Sequence, residues 1–176
     1  MAPLLSTLLF LFSALPVGDL NLVPAESNLS YKVIHKFHEV NGKTSSLEGR
    51  ALIEKESEGR VMVRAQVSSF DSGNANRDAH MKEVVEAHKF SHVVVKGMIT
   101  PVEDKTVHIS GTLDFHGVTQ PIEMNLPLEK IGEKWKLHLS FPVSLTQFKI
   151  ERPSLLFVKV NDQIQIEGDL VFSATQ

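Results

Sequence analysis

Eight histidines in a chain without cysteine are the side chains best suited to chemistry, as metal ligands or as general bases. Two spacings invite a metal reading: "HKFH" (His35, His38) and "HKFSH" (His88, His92). On a strand, residues three apart point to opposite faces, so His35 and His38 do not share an ion. His88 and His92 share a face only if a helix runs past Phe90, and the β-rich "HVVVKG" that follows argues against that. His108, His116 and His138 fall on the polar sides of alternating segments, where solvation is expected. No metal site and no cofactor is expected from these residues. With no thiol there is neither a thiolate nucleophile nor a thiolate ligand.

The second constellation is Asp78 with His80 in "FDSGNANRDAHMKEVVEAHKF". An Asp–His pair can orient a general base, but hydrolysis also needs a nucleophile or activated water and an oxyanion hole. The chain has no G-x-S-x-G elbow. Asp78 has an equally good structural use. It precedes Met81, Val84, Val85 and His88, spaced i, i+3, i+4 and i+7, so it is expected to N-cap one short helix with a single apolar stripe. A hydrolase acting on a lipid-like substrate is carried as the alternative reading.

The elements around this loop are strands. "TVHISGTLDFHG" sets Val107, Ile109, Leu113 and Phe115 against His108, Ser110, Thr112, Asp114 and His116. The same period of two runs through "LSYKVIHKF", "VMVRAQVSS", "PIEMNLPL", "KWKLHLSFPV" and "DQIQIEGDLVF", with weaker strands near Leu47–Glu56 and His92–Ile99. About eight strands of roughly 30 Å each follow, one face of each apolar and the other wet. Such one-sided alternation indicates antiparallel pairing. A sandwich and a closed barrel both fit it, and a closed barrel of this strand number has room for one small ligand. The lone helix would then sit as a lid or plug at one end. His35 is the polar member of an otherwise apolar face with Leu29, Tyr31, Val33 and Phe37. It is either a hydrogen-bonded core histidine or a polar anchor in an apolar cavity.

Composition limits the partners. The 176 residues make one domain's worth of chain, and a net charge of −3 without a Lys/Arg cluster argues against nucleic acid. "MAPLLSTLLFLFSALPVG" carries no charged side chain and is broken by Pro16 and Gly18. It is short for a membrane span but suits the apolar region of a signal peptide. Residues 1–18 are therefore expected to direct export to the periplasm or exterior, leaving a domain over 19–176.

With these residues in place the chain resembles the YceI-like family of bacterial proteins, described as polyisoprenoid-binding and lipocalin-like. The resemblance rests on "SSFDSGNANRDAHMK", on "VIHKFHEVNG" and on "GTLDFHGVTQPIEM", in that order, and covers Asp19 to Ala174. Two stretches depart from the family pattern. "EVVEAHKF" stands where aromatic residues are usual, and "ERPSLLF" lacks the glycine of the family's later segment, with Arg152 its nearest match. The resemblance implies an all-β, eight-stranded antiparallel lipocalin-like barrel that holds a polyisoprenoid or similar long-chain amphiphile without covalent bonds. Tyr31, Val33, Phe37, Phe115, Trp135 and Phe141 are the expected lining, His35 a polar group among them, and Arg77, Asp78 and His80 the rim. Membrane contact is expected only for lipid loading, and homo-oligomerisation is left open. A barrel with a packed core and no ligand, serving as an envelope interaction protein, is a third reading.

Overall fold

Alternation in the sequence becomes alternation of burial along the strands. In "NLPLE", Leu126 and Leu128 are buried between exposed Asn125, Pro127 and Glu129. Such a row is buried either by a second sheet packed against it or by a sheet that curls round its own apolar side, and this chain takes the second course. The computed structural model describes residues 15–35, 38–103, 105–155 and 158–175, with positions 35, 38 and 155 as backbone alone. Its strands are β1 (Gly18–Leu22), β2 (Asn28–His35), β3 (His38–Thr44), β4 (Leu47–Lys55), β5 (Glu58–Gln66), β6 (His92–Pro101), β7 (Thr106–Phe115), β8 (Val118–Ile131) and β9 (Lys134–Ser144). A small hairpin of β10 (Ser154–Leu155) and β11 (Val158–Lys159) precedes the last strand, β12 (Gln163–Ala174), and helix α1 (Ala75–Val84) lies between β5 and β6.

The main sheet closes on itself as β1-β4-β5-β6-β7-β8-β9-β12 and back to β1, an eight-stranded antiparallel barrel. The closing strand is short: Leu20 pairs with Ala51 on one side and with Ala174 on the other. Beyond it the chain turns at Pro24–Glu26 and rejoins the middle of β12 as β2, where Ser30 pairs with Glu167. The β2–β3 hairpin then rises at one end of the barrel. At that end, the mouth, stand this hairpin, residues 67–91 with α1, the β7–β8 turn and residues 145–162. The turns after β4, β6 and β8, with both ends of the described chain, form the opposite end, the floor. Strands β6 and β7 approach closely where Gly97 pairs with Gly111, and a Cβ on Gly111 would collide with the Lys96 carbonyl and the Gly97 Cα.

The barrel and, among the described residues, its single α-helix agree with expectation, but the membership of the ring does not follow the apolar runs. The expected strand from Leu29 is, as far as His35, half of a flared hairpin, and the strand that closes the ring is "GDLNL", too short to show a pattern. The helix also begins earlier than the stripe suggested. Asn74, not Asp78, is its N-cap, accepting a hydrogen bond from the Arg77 amide at 3.0 Å. The helix stops at Val84, so His88 lies outside it and is exposed. Met1 to Ala14 lie outside the described residues. Leu15 is buried at the floor and donates its amide to the Glu56 carbonyl. Among the described residues no helix is long and apolar enough to cross a membrane.

Candidate functional site

Inward-facing side chains leave a cavity of about 570 Å³ that runs from the mouth toward the middle of the barrel. Its walls are aliphatic and aromatic over almost all of their extent. Tyr31, Val33, Phe115 and Phe141 all line it. Ile109, Leu137 and Leu170, each buried, form its deep end. Polar atoms gather at the mouth, where Asn76, Arg77 and His80 of α1 and Ser154 of the β10–β11 hairpin contribute. Tyr31 adds a phenol to the wall, its ring packed against Phe70 at 5.5 Å between centroids. Burial pushes the Tyr31 pKa up and the Asp78 carboxylate adds to this, while Arg77 opposes it. The phenol therefore stays a hydrogen-bond donor.

The polar loop before α1 is held by its own side chains. The Asp78 carboxylate accepts the Ser72 amide at 3.1 Å and the Ser72 hydroxyl, so it ties the loop down from inside the helix's first turns. Those bonds hold its pKa below the usual carboxylate value against the opposing effect of burial. Arg77 donates from Nε to the Ser72 hydroxyl at 2.8 Å and from Nη2 to the Ser72 carbonyl at 2.7 Å. Asp71 caps the amide of Gly73, which takes φ 76°, and pairs across to Lys43 of β3. The loop thus spans the side of the mouth between β3 and β4, strands that do not pair with each other.

The expected site residues separate into groups. Arg77 and His80 stand at the rim, whereas Asp78 lies behind it, buried at 8% exposure and absent from the cavity wall. His80 lies 4.0 Å from Glu83 and is well exposed, so Asp78 and His80 do not form a catalytic pair. Trp135 is displaced the most. It faces inward, but at the floor, in a separate small void of about 30 Å³ with Leu15, Pro16, Leu20 and Phe172. Phe37 and the side chain of His35 lie outside the described residues. Among the described residues no three His, Asp or Glu side chains gather as a ligand set.

His116 is a residue whose role the alternation pattern misassigned. It is not solvated: its side chain is 10% exposed, Nδ1 faces the Phe148 carbonyl at 2.9 Å, and Nε2 faces the Glu86 carboxylate at 2.9 Å. Phe90 meets its ring edge-on at 4.8 Å. One imidazole therefore ties three mouth segments together: the β7–β8 turn, the turn after α1 and the segment after β9. Glu86, His116 and Lys149, all at or beside this junction, take positive φ values of 46°, 50° and 57°. Non-glycine residues keep such conformations only where surrounding contacts hold them. His116→Ala removes a nearly buried imidazole from between its two acceptors, and the expected loss is about 2 kcal/mol. Hydrogen exchange should then accelerate in residues 86–91 and 146–150 but not in the floor turns. Uniform acceleration would mean that His116 serves the whole fold rather than the mouth.

A closed antiparallel barrel with an apolar cavity and a polar rim places the chain in the class of lipocalin-like barrels. Within it, the chain belongs to the YceI-like family, whose domain model matches residues 20–172. A UPF0312 protein of Pseudomonas fluorescens is 28% identical over 152 residues, covering 81% of this chain and 77% of the relative. One from Vibrio parahaemolyticus is 29% identical over 133 residues, covering 68% and 69%. Among solved structures, BcnA of Burkholderia cenocepacia superposes with a TM-score of 0.77 at 17% identity, covering 85% of this chain and 98% of that one. A polyisoprenoid binding domain from Saccharophagus degradans, implicated in plant cell wall breakdown, superposes with a TM-score of 0.73 at 17% identity, covering 89% and 98%.

Proposed function

We propose that this protein binds a long-chain isoprenoid or similar amphiphilic lipid, non-covalently, with the tail inside the barrel and the head at the rim. The observation that carries the reading is the cavity itself: about 570 Å³ of apolar space, its few polar groups confined to one end. Burying roughly twenty tail carbons at about 0.8 kcal/mol each offers about 16 kcal/mol before the costs of association. With about half of that offset by those costs, the remainder suits micromolar capture. The polyisoprenoid-binding description of the Saccharophagus degradans domain points the same way. The hydrolase alternative gains no support, because the Asp78 carboxylate is committed to Ser72.

Export by the N-terminal apolar segment belongs to the same proposal. Gly18–Leu22 supplies the closing strand, so a mature chain that begins between Leu15 and Gly18 keeps that strand whole. Native mass spectrometry of protein from its natural source tests both halves at once. The chain mass should correspond to a start between Leu15 and Leu20, and a bound lipid should add a discrete mass that collision removes. An intact Met1 would defeat the export half. A ligand-free chain that also fails to take up any added amphiphile would defeat the binding half.

A further inference from the structure

We propose that the barrel measures tail length, accepting a single tail of four to five isoprene units and gaining nothing from longer ones. The inference rests on the lipid-binding reading and adds a limit set by this chain's own floor. An apolar cavity of about 150 Å³ holds one benzene, or about 25 Å³ per carbon. At that density, a cavity of about 570 Å³ takes roughly 23 carbons, between four and five isoprene units with the head left at Arg77 and His80.

The lower limit of the space is a layer of side chains. Val61 and Leu137 face the main cavity above and the small void of about 30 Å³ below, so together they are the partition between the two. Both are nearly fully buried, as are Leu15, Leu20 and Phe172 beneath them. At and below this level the ring is closed by hydrogen-bonded pairs, β1 with β4, β1 with β12 and β8 with β9 from Leu128↔Leu137 to Ile131↔Lys134, which bars a sideways exit beneath the partition. A tail longer than the cavity must therefore leave its extra units in water or displace the partition. Extra units left in water bring no apolar burial and hence no affinity.

The void below predicts the direction of a change in specificity. Leu137→Ala removes the largest part of the partition and joins the two spaces, so the accepted tail should lengthen by about one isoprene unit. Leu15 and Trp135 would then form the new floor.

The test offers delipidated protein an equimolar mixture of prenyl diphosphates of two to eight isoprene units and reads the bound masses by native mass spectrometry. Wild-type protein should enrich the four-unit ligand at least fivefold over the two-unit one, with no further enrichment beyond five units. Leu137→Ala should raise the ratio of five-unit to four-unit ligand at least fivefold. Val61→Ala, a smaller deletion in the same partition, should move the ratio the same way by less, and serves if Leu137→Ala does not fold. Occupancy that climbs steadily to eight units, or a partition variant with an unchanged ratio, overturns the length limit while leaving lipid binding intact. No adduct at any length overturns both.

Discussion

Replacing Asp78 with alanine will lower the unfolding free energy by about 3 kcal/mol and the melting temperature by about 6–12 °C for a chain of this size. The carboxylate is buried at 8% exposure and accepts both the amide and the hydroxyl of Ser72. Its loss leaves that amide without its partner and frees the hydroxyl that Arg77 also uses. The effect is larger than that of losing a helix cap, because Asn74 already fills that position. The pH dependence has a definite sign. The folded carboxyl has a pKa below its ordinary value, so its contribution is complete above that value and disappears as the pH falls through the lower, folded one. Asp78→Ala should therefore be less stable than wild type near neutrality, and the two should converge in acid. Thermal melts at neutral and acid pH check this, and a constant gap at all pH values would show that the charge has no part in holding the loop.

Val33→Arg will weaken binding of a four-unit prenyl alcohol by more than a hundredfold, about 3 kcal/mol, whereas Arg77→Ala will weaken it less than tenfold. Val33 lines the cavity from β2 near the mouth and is only half-buried. An arginine there can keep its head in water while its stem occupies the tail's path. The fold should survive, which circular dichroism would verify first. Arg77, in contrast, stands at the rim and spends its donors on Ser72. If apolar burial supplies most of the affinity, blocking the path costs more than trimming the rim. Calorimetric titration of the three proteins decides it. A larger loss in Arg77→Ala than in Val33→Arg would make the head the main source of affinity.

What the sequence could determine by itself was the face on which each side chain lies. A period of two assigns inside and outside without knowledge of the partner strands, which is why Tyr31, Val33, Phe115 and Phe141 were readable as inward residues before any coordinates. The motifs around Arg77 and in the β7–β8 hairpin carried the family, and with it the barrel rather than a sandwich. Alternation says nothing, however, about height along the barrel axis. Trp135 and Phe141 have the same parity on β9, yet one lies at the floor and the other in the cavity wall. Closure was equally hidden, because β1 is five residues long and its partners Ala51 and Ala174 are remote in the chain. The cap was ambiguous for a chemical reason: Asn74 and Asp78 both suit an N-cap, and the fold of the loop back onto Ser72 assigned them different tasks. His116 shows the same limit most clearly. Its polar parity suggested water, but its two hydrogen-bond partners come from segments 30 and 32 residues away. Local pattern records which way a side chain points, and only the packing of distant segments decides what it meets there.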